Sequence, residues 1–175
     1  MPQHSFAWVA LLLRARLVLE RILEWTVAVL LVGMSAVVFI NVIFRYFLSM
    51  TIGWYEEMSR FMLIWIVFLG AVVAYFKGDH LSLDVVLNFM KPKARKVVTA
   101  AADVLVIAAL YIMAEGGFVM ALDSLASGWI ASSIEIPYGY IYMVGPVSAI
   151  LMMLQAVIKT GEDLHSLIKV FKEGA

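Results

Sequence analysis

The chain has 175 residues, of which 64% are hydrophobic and only 15% are charged. A water-soluble domain carries about half apolar and about a quarter charged residues, so this composition excludes an ordinary soluble fold. Formal net charge is zero and cysteine is absent. Bulk charge therefore argues for no nucleic-acid partner, and disulfides, thiol chemistry and cysteine-ligated metals are excluded.

In chain order, the apolar stretch Phe6–Leu13 precedes Arg14 and Arg16, and no small-residue cleavage site follows it. That is the wrong order for a cleavable signal, so the chain reads as inserted and not secreted. Residues 1–24 form an amphipathic segment. On a helix, Arg14, Arg16, Glu20, Arg21 and Glu24 share one arc, with Leu11, Leu12, Val18, Leu19, Ile22 and Leu23 on the other. Such a helix lies in the membrane interface or extends the first span; equally, its charges serve only to orient that span.

Four apolar runs reach the roughly 20 residues needed to cross a bilayer. The first, at about 25–47, carries Asn41 and Arg45 near its far end. A short link leads to the second span, at about 55–76. A polar link with Lys77, Lys91, Lys93, Arg95 and Lys96 follows, and within it residues 81–89 fit a short interfacial helix. The third span is placed at about 97–120. If helix continues over 94–126 it is about 50 Å long, more than the roughly 30 Å of hydrocarbon, and must tilt or project. A polar link over 125–136 precedes the fourth span, at about 137–158. That span starts at Pro137, a favourable first helical position, and Pro146 is expected to kink it. Tyr138, Tyr140 and Tyr142 sit where an aromatic belt is expected. Residues 159–175 form a charged tail, helical or frayed. The fold class is all-α: a membrane protein with four transmembrane helices.

Eleven of the thirteen Lys and Arg residues lie in the N-terminal segment, the middle link and the tail. The other two links carry none, and Arg45 and Arg60 sit at span ends. By the positive-inside rule both termini are expected to be cytoplasmic.

Reactive chemistry finds little support. The three histidines, His4, His80 and His165, all fall outside the spans, which excludes a bis-histidyl haem held between membrane helices. Asp79, His80 and Asp84 resemble a metal site by spacing, but a lone histidine in a polar link is far more often structural. Neither a catalytic residue, a metal site nor a cofactor is expected. Asp103, Glu115 and Asp123 lie on the third helix, and an acid within a membrane is a functional candidate by default. Glu115 reads as a proton or cation site, or as an acid paired with an arginine or backbone group of a neighbouring helix.

A sharper cluster stands where the first two spans meet. Antiparallel spans joined by a short link bring Arg45 near Glu56, Glu57 and Arg60, and Asn41 lies one turn before Arg45. Two arginines and two carboxylates can neutralise one another where either charge alone is costly. This network is expected to fix the angle between the spans; ordinary snorkelling of juxtamembrane charge is the simpler reading. The second span has two faces. One carries Leu63, Val67, Gly70, Ala71 and Ala74, in which Gly70 and Ala74 form a small-xxx-small pair suited to close helix approach. The other carries Phe61, Trp65, Phe68, Val72 and Phe76. Trp65 lies near mid-span, away from the interface that tryptophan prefers, and is expected either to face lipid or to fill a groove in another membrane protein.

In order along the chain, Asn41-Val-Ile-Phe-Arg45-Tyr, Trp54-Tyr-Glu56-Glu57-Met-Ser-Arg60, Trp65-Ile-Val-Phe-Leu-Gly70-Ala71, Gly78-Asp79-His80-Leu-Ser-Leu-Asp84 and Ile136-Pro137-Tyr-Gly-Tyr resemble the DctQ-type small membrane subunit of TRAP (tripartite ATP-independent periplasmic) transporters. The resemblance spans about residues 21–159. It implies a non-enzymatic subunit of the bacterial inner membrane. Its partners would be membrane lipid, a large DctM-type membrane subunit that moves as an elevator, and a DctP-type periplasmic binding protein. Uptake would be coupled to an ion gradient, commonly sodium, and would serve organic acids such as C4-dicarboxylates or sialic acid. This chain would act as scaffold and help dock the binding protein. The alternative is a self-sufficient four-helix carrier, working as a homodimer with Glu115 or Asp103 as its coupling acid.

Overall fold

The structure is a computed structural model that describes residues 3–50, 53–77 and 92–173, with side chains described at 14, 16–50, 53–77 and 98–161. It contains helices α1 (Gln3–Phe47), α2 (Tyr55–Lys77), α3 (Pro92–Ala126), α4 (Tyr138–Tyr142) and α5 (Val144–Glu173). Among the described residues, the pairing of extended chain is limited to one antiparallel bridge, Ile130 to Pro137. Among the described residues, four stretches are long and apolar enough to cross a membrane: Arg16–Phe47, Tyr55–Lys77, Val98–Ala126 and Tyr138–Gly161. Helix is the expected answer for such segments, because every backbone N–H and C=O must find a partner within its own span. Three side-chain hydroxyls meet the same demand: Thr26, Ser35 and Thr160 each donate to the carbonyl four residues back, at 2.8, 2.9 and 2.9 Å; those of Ser59, Ser124 and Ser148 are buried with no partner among the described residues.

The chain divides into two compact units, one comprising Met1–Val73 and Ala131–Ile136, the other Ala74–Ile130 and Pro137–Ala175. In the first unit, α1 runs unbroken for 45 residues, about 68 Å. The amphipathic segment is thus an extension of the first span, with no break at residue 24. Residues 3–47 contain no proline and a single glycine, Gly33, so nothing in the sequence interrupts the hydrogen-bond ladder. Gly33 lies against α2; a Cβ there would meet the Met62 methyl carbon at 3.6 Å. The helix stops where Ser49 takes a left-handed backbone (φ 53), and the Leu48 and Met50 N–H groups both donate to the Phe44 carbonyl.

The second unit is built on α3 against α5. Running antiparallel, Asp103 meets Lys159, Gly117 meets Pro146, and Ala121 and Leu125 meet Gly139. The inward stripe of α3 (Leu110, Ala114, Gly117, Ala121, Ser124) recurs every three or four residues, and all of these but the half-buried Gly117 are buried. Facing it, α5 buries Val144, Ser148, Ala149, Met152 and Ala156. Small side chains on both helices allow close backbone approach, the main source of helix association where lipid is as apolar as leucine. The α3 C-terminus closes in a Schellman motif: Trp129 N–H donates to the Ser124 carbonyl, Gly128 N–H to that of Leu125, and Gly128 supplies the positive φ of 65.

Two boundaries of the fourth span differ from expectation. Pro137 is the extended residue before the helix (φ −62, ψ 127), not its first member, because it is held in the bridge to Ile130. The kink expected at Pro146 appears as a break at Met143, between α4 and α5. Proline has no N–H to offer the Tyr142 carbonyl and its ring crowds that group, so the interruption falls one turn upstream. The charged tail is helical to Glu173. The interfacial helix expected over 81–89 lies outside the described residues.

Candidate functional site

Glu57 is the residue around which polar structure gathers. It projects from the first turn of α2, and its carboxylate accepts two backbone hydrogen bonds from the segment 131–136, Ser133 N–H at 2.9 Å and Ser132 N–H at 3.2 Å. That segment is one tight turn. Glu135 N–H donates to the Ala131 carbonyl at 3.0 Å, Ala131 N–H donates to Ile136 at 2.9 Å, and Glu135 adopts a positive φ of 54. Ser132 and Ser133 are the leading residues of the turn, so their N–H groups point out of it unsatisfied, as at a helix start. A carboxylate is the acceptor that such a pair of donors favours.

Next to it, the Tyr55 hydroxyl donates to Glu56 at 2.9 Å and lies beside Asn41 and Arg45 of α1. Asn41 is buried and its carbonyl oxygen has no hydrogen-bond partner among the described residues. The four-charge network expected from the sequence is not assembled. Arg45, Glu56 and Arg60 are exposed, and among the described residues no ion pair joins either arginine to Glu56 or Glu57. The physical reason lies in the competition for Glu57: two preset backbone donors take it, and the arginine heads stay free to reach the interface. Sequence reasoning missed Ser132 and Ser133 because backbone donors leave no side-chain signature; the clue was a Ser-Ser pair in a link otherwise rich in apolar residues.

The faces of α2 are as the periodicity divides them, but their orientation is the reverse of the expected one. Phe61, Leu69, Val72, Tyr75 and Phe76 are buried, and Trp65 is half-buried. Leu63, Val67, Ala71 and Ala74 are exposed, and a Cβ on Gly70 would meet nothing within 4 Å. Gly70 and Ala74 are therefore not a close-packed seam within the chain. The close approaches fall at Gly117 and Gly139, which the small-residue run Ala114, Gly117, Ala121 foreshadowed. Asp79, His80 and Asp84 lie outside the described residues.

Of the acids on α3, Asp103 reaches Lys159 at 4.0 Å, with its side chain 12% exposed. Glu115 and Asp123 are exposed. No group of three or more His, Asp or Glu side chains able to hold a metal ion occurs among the described residues. What the polar groups do is tie links and helix ends together within a polytopic α-helical membrane protein.

The family profile described as "Tripartite ATP-independent periplasmic transporters, DctQ component" matches residues 34–165. A protein assigned as a TRAP transporter small permease in Haemophilus influenzae is 30% identical over 134 residues, which cover 77% of this chain and 82% of that one. The Vibrio cholerae C4-dicarboxylate TRAP transporter small permease protein DctQ is 32% identical over 77 residues, 44% of this chain and 33% of that one. The H. influenzae sialic acid TRAP transporter permease protein SiaT is 22% identical over 160 residues, covering 83% of this chain but 24% of that protein. The chain belongs to the DctQ component family of TRAP transporters. It is a transporter permease subunit of the bacterial inner membrane, multi-pass, and not an enzyme.

Proposed function

We propose that this chain is the scaffold subunit of a sodium-coupled TRAP transporter for an organic acid. It holds the static side of a complex whose large DctM-type subunit binds substrate and moves, and it helps receive the DctP-type periplasmic binding protein. The observation that carries this reading is the unburied apolar surface. Across the described side chains of α1, at 14 and 16–47, only Leu23 and Asn41 are buried, while Trp25, Val29, Val32 and Phe39 stand more than half exposed. The small-residue face of α2 is likewise uncovered. Helices of this kind are finished by lipid and by the helices of another subunit. The short match within the much longer SiaT fits a division of labour in which the transport machinery resides in a second polypeptide.

The test is reconstitution. Proteoliposomes containing this chain with the large subunit, supplied with binding protein and an inward sodium gradient, take up the organic acid. Liposomes with this chain alone take up none. Uptake by this chain alone, lost on Glu115→Gln or Asp103→Asn, would overturn the scaffold reading in favour of a self-sufficient homodimeric carrier.

A further inference from the structure

Asp103 and Asp123 lie twenty residues apart on α3, about 30 Å along the helix, which is the thickness of a hydrocarbon core. Between them Glu115 is the one charged residue, about 12 Å from Asp123 and about 18 Å from Asp103. Its side chain is too short to carry the carboxylate back to either interface. It is exposed, on the face of α3 opposite to the stripe packed on α5, and among the described residues no hydrogen bond or ion pair reaches it. Its neighbours on that face are apolar and bare: Leu105 is 71% exposed, Ile112 69%, Val119 55% and Leu122 56%. Beside it Gly116 is exposed and stands in open space: a Cβ there would meet nothing within 4 Å. An ionised carboxylate at this depth cannot face lipid tails without heavy cost; it needs a cation or a donor held in the same layer.

We infer that the exposed face of α3 at Glu115 and Gly116 receives an arginine or lysine from a membrane-spanning helix of the large subunit. The inference rests on the scaffold reading. A lipid headgroup cannot supply the cation, because headgroups lie well above this layer. A second copy of this chain does not supply it at this depth: the basic residues inside its apolar stretches, Arg16, Arg21, Arg45, Arg60, Lys77 and Lys159, all lie within two turns of a stretch's end. The cation must therefore come from a different membrane chain. The open glycine provides space for a long basic side chain to lie along α3 and pair with the carboxylate.

The experiment co-expresses the chain with its large subunit, tagged, and incorporates a benzophenone amino acid at Ile112 or Val119, with Phe39 and Ala74 as comparison positions. Irradiated membranes are expected to give a crosslink between positions 112 and 119 and the large subunit. Glu115→Gln is expected to lower the large-subunit yield of this chain in mild detergent at least about fivefold, the scale of a lost polar contact between membrane helices. Glu115→Arg should lower it further. Crosslinks at 112 and 119 only to lipid or to a second copy, with Phe39 or Ala74 still reaching the large subunit, overturn the inference and leave the scaffold reading standing. An unchanged yield for Glu115→Gln overturns the charge pairing. Absence of any co-purification or crosslink, at any position, overturns the scaffold reading itself.

Discussion

The carboxylate of Glu57 accepts a hydrogen bond from the backbone of Ser133 at 2.9 Å, across 76 residues of sequence. With Ser132 bound at 3.2 Å to its other oxygen, one side chain at the start of α2 fixes the backbone of a distant turn. The turn carries its own strain, since Glu135 sits at positive φ, a conformation that costs a non-glycine residue about 1–2 kcal/mol. Two charge-assisted hydrogen bonds offset a cost of that size.

Glu57→Gln should keep one acceptor and lose the other, destabilising the turn by about 1 kcal/mol, and Glu57→Ala by somewhat more. The chain has no cysteine, so Ser133→Cys gives a single reporter at this site. Its labelling by a maleimide should be faster in the Glu57→Ala background than with Glu57 intact. Equal rates would show that the carboxylate does not hold the turn.

Glycine substitutions should rank by what their new Cβ meets. At Gly139 it would collide with the Leu125 side chain and lie 2.6 Å from the Ala121 carbonyl oxygen, which is backbone and cannot yield. At Gly117 it would lie 2.9 Å from the Pro146 ring. Overpacking of this kind costs about 1–3 kcal/mol, so Gly139→Ala should lower thermal stability in detergent most, and Gly117→Ala next. Gly70→Ala, in open space, should leave the isolated chain unaffected. If Gly70→Ala proves as damaging as Gly139→Ala, the assigned packing faces are wrong.

Gly128 closes the Schellman motif at φ 65. Gly128→Ala should cost about 1 kcal/mol through left-handed strain alone, whereas Gly128→Asn should cost less, because asparagine tolerates that region best among side-chain-bearing residues. Stability of the purified chain by thermal unfolding distinguishes the two substitutions.

Much of this architecture was legible because hydrocarbon thickness and helical rise impose lengths that a sequence displays openly. The four spans, the two faces of α2 and the interruption caused by Pro146 follow from apolar run length, periodicity and a missing N–H. The inward face of α2 did not follow. Small-xxx-small at Gly70 and Ala74 marks a surface able to pack closely, but not which neighbour covers it, and in this chain the buried side is the aromatic one. The Glu57 bond was hidden for a different reason. Periodicity locates side chains on one helix, whereas the partner here is the backbone of a turn 75 and 76 residues away. The break at Met143 fell one turn from its cause because proline disturbs the carbonyl four residues before it.

The same contact sets up a test of orientation. Because Glu57 binds the 131–136 turn, the link before α2 and that turn must lie on one side of the membrane. Neither 48–54 nor 127–136 contains Lys or Arg, whereas five basic residues fall within 77–96. By the positive-inside rule the Glu57 end is expected outside the cytoplasm and both termini within it. In intact spheroplasts an impermeant maleimide should label Ser133→Cys, and should label Lys93→Cys and Lys172→Cys only after permeabilisation. The opposite pattern would invert the topology. Labelling of Ser133→Cys and Lys93→Cys from the same side would be incompatible with α3 crossing the membrane once between them.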